Sequence, residues 1–343
     1  MLESWNTHLA GNGATIEGSR VAHFGDPGAE LRAAATGAIL CDLSHRSVIA
    51  FSGDERHAFL HGQLTSDVKN LGAGGSRYAG YCTPKGRLLA TFLVWQNDRA
   101  IYAQLPCELR ESVQKRLSMY VLRSKVVLTD ASSDFVRCGL AGPGAAAMIK
   151  GSIGDIPAHD YEVSHSGEIS VIRLPAGRFQ INVPIERAIG LWDALRQEAT
   201  CVGAACWDWL EIRAGLPTLT AATQEEFVPQ MLNLDALGAI SFSKGCYPGQ
   251  EIVARTHYLG KIKRRMYRAH VVSDAVPAPG DKVFSAENND QPGGMIVNAA
   301  PAPDGGFDVL AAIQTSSAES GAIHLGSPSG APLSLLDLPY SLP

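Results

Sequence analysis

The chain is poor in charge and has no long apolar run. Asp, Glu, Lys and Arg make up 18% of its 343 residues, against about 25% in an average globular protein. Hydrophobic residues still reach 45%, which excludes wholesale disorder and leaves enough for a large core. The longest apolar run is Leu-Leu-Ala-Thr-Phe-Leu-Val-Trp at 88–95. It falls far short of the roughly 20 residues that cross a bilayer and reads as a buried strand. Glycine shows no three-residue period, which excludes collagen. The first eight residues carry neither a basic nor an apolar signal-peptide region, so none is expected. Seven cysteines (41, 82, 107, 138, 201, 206, 246) form no Cys-x-x-Cys pair. That predicts reduced thiols in a cytoplasmic protein, and no zinc or cluster site. No Walker loop, Gly-x-Ser-x-Gly elbow or His-Glu-x-x-His motif occurs.

What charge there is sits unevenly. The whole chain is −5. Residues 244–268 hold seven cations (Lys244, Arg255, Lys261, Lys263, Arg264, Arg265, Arg268) against Glu251 alone. Residues 269–343 hold eight acids against Lys282 alone. A basic band on an acidic protein fits either an anionic ligand or a solvated strand edge whose lysines block edge pairing.

Strand patterns occur at 48–52, 78–83, 88–95, 101–105, 126–129, 135–140 and 179–183, and helical ones at 54–63, 108–120, 185–198 and 206–214. Asp54 is placed to cap the first helix. Strands and helices mix without a βαβ repeat, so the fold class is α+β. From about 266, short strand candidates (266–272, 282–284, 294–297, 307–312, 322–325) alternate with Gly/Pro/Asp/Asn turns, among them 277–280, 288–290, 292–294 and 303–306. That texture predicts a small β-barrel at 263–343, with a boundary near residue 262.

The densest segment is 242–261. Lys244-Gly-Cys is a tight turn, and Pro248 suits the first turn of a helix. Gln250 and Glu251 then lie near the positive helix end, and Cys246 sits just upstream beside Lys244. Cys246 is either a reactive thiol or a small residue filling a turn.

The run Lys-Gly-Cys-Tyr-Pro-Gly-Gln-Glu at 244–251 resembles the signature of YgfZ-type folate-binding proteins. These are relatives of the T-protein (aminomethyltransferase) of the glycine cleavage system. Phe-Leu-His-Gly-Gln-Leu-Thr-Ser-Asp at 59–67 is similar to the family's Gly-Gln-x-Thr-x-Asp segment. Gly-Leu-Pro at 215–217, Phe-Val-Pro-Gln-Met-Leu-Asn at 227–233 and residues 237–242 extend the likeness, which covers most of 35–270.

The resemblance implies a three-lobed T-protein-like fold, with two interleaved α+β subdomains in 1–262 around a tetrahydrofolate pocket. It also implies a role in assembling or maintaining iron–sulfur clusters in client enzymes, including ones that thiomethylate tRNA. The partners it implies are folate, or a one-carbon derivative of it, and iron–sulfur client or assembly proteins. Direct tRNA binding through 261–268 and membrane association are not expected. Two departures argue against ordinary aminomethyl transfer. Leu89 and Ala90 stand where the family's catalytic acids would be, and an alkyl group cannot steer a proton. Arg213 stands at the pterin-binding glutamate's place, and Glu211, two residues away and roughly 200° round the same helix, is not an easy substitute.

A reduced folate needs acceptors at the pterin edge, apolar walls and cations for its tail. Gln63 and Asp67 are the pterin-side candidates. Tyr81, Trp209 and Tyr247 are candidate walls, and Arg255, Lys261 and Arg264 are tail partners. Gln250 and Glu251 complete the expected cofactor set, while Lys244 and Cys246 are the expected chemical groups. No metal site is expected. The alternative function is a folate-dependent one-carbon transferase or demethylase, which needs a replacement acid such as Asp67.

Overall fold

The computed structural model describes residues 2–285, 291–320 and 322–343. Three sheets carry the fold, and the chain visits the first two alternately. One is antiparallel and five-stranded, ordered Ser76–Cys82, Leu88–Gln96, Ile101–Pro106, Arg46–Ser52, Val127–Asp130. The apolar run is its second strand, buried along its whole length because both faces are covered.

The second sheet is six-stranded, ordered Val163–Ser166, Ile169–Leu174, Arg178–Val183, Val136–Ala141, Ile39–Asp42, Thr200–Val202. Only its last pair is parallel. The strand Ile39–Asp42 precedes the first sheet in sequence yet lies in the second. That interleaving ties the two sheets together.

The third sheet, ordered Ile323–Leu325, Lys282–Ser285, Pro292–Pro301, Phe307–Gln314, Arg264–Val271, Leu333–Leu336, curls into a half-barrel. Its register is set by alternation. Ala269, Val271, Ile296, Val309 and Ala311 face one apolar cluster, while Met266, Met295, Leu310 and Ala312 join the main core. The turn expected at 288–290 lies outside the described residues.

The helix expected to start at an Asp54 cap spans Arg56–His61 instead. Glu55 occupies its N-cap position without capping it. The Glu55 carboxylate accepts the Lys125 amide at 2.6 Å, so it is committed elsewhere. Helices Cys107–Ser118, Ile185–Leu195 and Ala204–Arg213 lie within a few residues of the expected bounds. No helix among the described residues is long and apolar enough to cross a membrane.

Candidate functional site

The three lobes meet at a cavity of about 350 Å³. Residues 45–46 and 106 come from the paired ends of two interior strands of the first sheet, 107–108 from the start of the helix Cys107–Ser118, 208–212 from the helix Ala204–Arg213, 216–220 from the loop after it, and 298–299 from the half-barrel. The loop is held from both sides. Thr218 N donates to Asn298 Oδ1 at 2.9 Å, and Asn298 Nδ2 returns a bond to Thr218 O at 2.8 Å. Thr91 Oγ1 accepts the Leu219 amide at 3.2 Å.

Arg46 organises the wall. Its guanidinium donates to Glu211 Oε2 at 2.6 Å, Asp208 Oδ1 at 3.1 Å, Thr218 Oγ1 at 3.2 Å and His45 Nε2 at 3.2 Å. Arg20 closes on Asp208 Oδ2 at 2.5 Å. Burial acts to raise the Asp208 carboxyl, but the Arg20 and Arg46 guanidiniums outweigh it and hold it below its ordinary value. Burial, reinforced by Arg46, pushes His45 down to about 3, so its imidazole is neutral. Because Nε2 accepts from Arg46, the proton is assigned to Nδ1, which is buried and has no partner among the described residues.

A smaller inner chamber, about 40 Å³, opens from the same wall and shares Arg46, Pro106, Glu211, Leu216 and Thr218 with it. Tyr78, Thr91, Gln104, Tyr161, Arg178 and Gln180 supply its other polar groups. Gln104 and Gln180 exchange amide bonds of 2.9 and 2.8 Å across the first two lobes. Asn182 accepts from Gln180 at 3.0 Å and fixes which way that amide points.

The signature residues gather at a different place. The Lys244 amino group donates to the carbonyls of His61, Leu64 and Ser66 and lies 4.8 Å from the Tyr247 ring centre. Burial pushes it down to about 8, against the pull of Asp67. Lys244 thus pins the signature loop onto residues 61–66.

Asp67 caps that segment, accepting from Lys69 N at 3.0 Å and Asn70 Nδ2 at 3.1 Å, and pairs with His61 at 3.1 Å. Tyr81 and Tyr247 are buried, and Gln63 Oε1 is buried without a partner among the described residues. Cys246 is exposed. The helix starts at Gln250, two residues later than Pro248 suggests, because Gly249 at its N-cap is left-handed (φ 82°). A Cβ there would lie 2.6 Å from Gly86 Cα and Thr83 O, so only glycine lets the loop close on that hairpin. Glu251 and Arg255 lie on this helix with exposed side chains.

None of Gln63, Asp67, Tyr81, Trp209, Tyr247, Gln250, Glu251 and Arg255 lines the three-lobe cavity or its inner chamber. Trp209 is buried against the half-barrel, where its indole donates to Asp308 at 2.9 Å. Arg213 is exposed and stacks on Trp209 at 4.8 Å. Glu211, set aside from its helical offset, is the one that reaches the cavity. Within the basic band, Arg265 is buried in a bidentate pair with Asp235 at 2.6 and 2.9 Å. Arg268 donates to the Asp337 carbonyl at 3.0 Å. Lys261 and Lys263 are exposed, and Arg264 is half-buried. Leu89 and Ala90 pack in the core of the first sheet, while Thr91 and Leu93 face the inner chamber. The strand Leu88–Gln96 carries no acid at any position, so the missing carboxylate does not depend on register. Among the described residues, no group of three His, Cys, Asp or Glu could hold a metal.

Two interleaved sheets with their helices and a half-barrel closing on one polar cavity define a protein of T-protein-like fold. The chain superposes on the glycine cleavage system aminomethyltransferase T from Bartonella henselae with a TM-score of 0.77, over 98% of this chain and 96% of that one. At 17% identity that likeness is of fold alone. Residues 19–244 match the GCVT N-terminal domain. Over 307 residues the chain is 32% identical to "tRNA-modifying protein YgfZ" of Sodalis glossinidius (strain morsitans), covering 88% of this chain and 93% of that one. The protein of the same name in Serratia proteamaculans (strain 568) is 30% identical over 306 residues, with 88% and 92% covered. The chain belongs to the GCVT family, as one of its YgfZ-type members.

Proposed function

We propose that this chain binds tetrahydrofolate, or a one-carbon derivative, and serves iron–sulfur enzymes as an accessory protein, including enzymes that thiomethylate tRNA. One observation carries the folate part: a polar cavity at the three-lobe junction with a carboxylate, Glu211, in its wall. A pterin edge presents N–H donors, which a carboxylate accepts in charge-assisted bonds. A volume of about 350 Å³ lies within the range of small-molecule sites, roughly 300–1,000 Å³. The fit is therefore good. Glu211 would hold the pterin edge, Thr218 and Pro106 the ring, and Arg20 at the open rim the glutamate tail. Bound folate supplies one-carbon carrying capacity. The chain itself orients Glu211 through Arg46 and Thr218 and keeps His45 neutral.

Aminomethyl transfer needs an acid to steer the proton near the folate. The strand Leu88–Gln96 offers Thr91 instead, and its hydroxyl is occupied by the Pro217 carbonyl and the Leu219 amide. That supports the accessory reading over the transferase or demethylase reading. The signature residues then have a separate task. Lys244 pins a loop that presents Cys246 at the surface, where a client or assembly protein can reach it.

Anaerobic calorimetry with tetrahydrofolate tests the reading. Saturable binding is expected, weakened at least about tenfold by Glu211→Gln and unchanged by Cys246→Ala. Turnover of methylene- or methyl-tetrahydrofolate with a panel of methylamine donors is expected to be absent, and turnover would return the enzyme reading to first place.

A further inference from the structure

The inner chamber holds a group that the fold leaves unanswered. Arg178 is 1% exposed. Its Nε donates to the Pro175 carbonyl at 3.1 Å, and its guanidinium lies 5.3 Å from the Trp207 ring centre. Nη1 and Nη2 are buried with no partner among the described residues. No carboxylate among the described residues lies within 4 Å of either, in contrast to Arg46 in the same wall. The Tyr161 hydroxyl, also in this wall, is buried without a partner among the described residues. Tyr161 further adopts a left-handed backbone conformation (φ 64°), which a bulky residue holds only when its surroundings demand it.

Leaving a buried guanidinium unpaired is costly, and stability alone would replace it with an apolar side chain. The fold instead builds a platform for it. Gly139 is what allows Trp207 to lie there, since a Cβ at 139 would come within 2.5 Å of the indole. The donors around the chamber outnumber the acceptors left free. Arg46 and Thr218 both bond Glu211 Oε2, so that carboxylate offers only Oε1, and the Gln104 and Gln180 amides take each other.

We propose that the inner chamber is an oxygen-acceptor site, in which Arg178 and Tyr161 receive a planar carbonyl or carboxylate oxygen of a ligand entering through the outer cavity. The chamber's 40 Å³ admits roughly two or three waters' worth of ligand. That is the corner of a ring or a formate-sized anion, and not a whole pterin. Two sources present this chemistry: the lactam oxygen at the edge of a pterin, and a free small carboxylate. In the first case the inference rests on the folate reading above. Glu211 then takes the N–H donors of the same edge, and Arg178 takes its oxygen.

The test measures two probes on the full chain. Tetrahydrofolate affinity is read by anaerobic calorimetry, and sodium formate by its shift of the melting temperature against sodium chloride. Arg178→Gln is expected to weaken one of the two by about thirtyfold, the size of a charge-assisted hydrogen bond. Tyr161→Phe should weaken the same probe by about fivefold. Loss on the folate arm alone assigns the lactam oxygen. Loss on the formate arm alone assigns a free carboxylate, and this holds even if tetrahydrofolate binds nowhere, which would sink the folate reading and spare this one. Tetrahydrofolate binding equally to wild type and Arg178→Gln, with formate silent, overturns the inference and spares the folate reading. If Arg178→Gln does not fold, Tyr161→Phe decides: it removes one oxygen, and unchanged responses to both probes refute the site.

Discussion

Replacing Arg46 by methionine isolates what holds the cavity wall together. The side chain is 9% exposed, against 23% for Asp208 and 19% for Glu211. Breaking a fully buried ion pair by removing one partner costs about 3–5 kcal/mol, and exposed pairs are worth under about 1. Two partly covered carboxylates place Arg46→Met toward the lower end of the first range, at about 3 kcal/mol. Arg20 remains on Asp208, so that carboxylate keeps one partner, while Glu211 keeps the Thr218 hydroxyl.

The pH dependence has a definite sign. Burial works to raise Asp208, and the two guanidiniums together hold it below the ordinary value of 3.8. A carboxylate depressed on folding contributes stability above its unfolded pKa and loses it as pH falls through the folded value. The deficit of Arg46→Met is therefore full at pH 7 and shrinks below about pH 4, where the unfolded carboxylate is protonated. Urea unfolding of both proteins at pH 7 and at pH 3.5 measures it. A deficit under about 1 kcal/mol at pH 7, or one that grows toward acid, refutes the assignment of Arg46 as the clamp.

Cys246→Ser should leave urea stability within about 0.5 kcal/mol, as exposed substitutions do, while failing to restore client-enzyme activity in cells that lack the protein. Full complementation removes Cys246 from the account. Gly249→Ala should cost about 2 kcal/mol or more, since it adds left-handed strain and a backbone clash at 2.6 Å. A neutral result would mean that the signature loop does not need its contact with the 83–86 hairpin.

Much of the fold was legible because local pattern and tertiary role agreed. The apolar run 88–95 reads as a buried strand and is one. The fold class and the YgfZ-type signature were readable for the same reason: short, specific runs such as Lys-Gly-Cys-Tyr-Pro-Gly-Gln-Glu sit in register with their surroundings. The strand Ile39–Asp42 was not foreseen. Four residues carry too little periodicity, and their partners lie at 138–141 and 200–202.

The cavity was harder to read. Lys244, Cys246 and Gln250 draw attention as a motif, yet they build a surface loop. The cavity's groups are scattered at 46, 104, 161, 178 and 211, so only the three-dimensional closure brings them together. Glu211 was discounted because helical offset alone places it about 200° from position 213. The helix turns position 213 outward over Trp209 and position 211 inward, so the offset is what puts a carboxylate in the cavity. The alternation Arg-Phe-Gln-Ile-Asn-Val at 178–183, polar at every second position within a strand pattern, is the one sequence signal that could have pointed there.

The central claim is that folate occupies the three-lobe cavity rather than the signature loop. Amide hydrogen exchange with and without tetrahydrofolate, under anaerobic conditions, tests it most directly. The account predicts new protection at 104–108, 174–180 and 208–220, with residues 61–67 and 244–251 unchanged. Protection confined to 61–67 and 244–251 would contradict it and move the folate site to the signature residues.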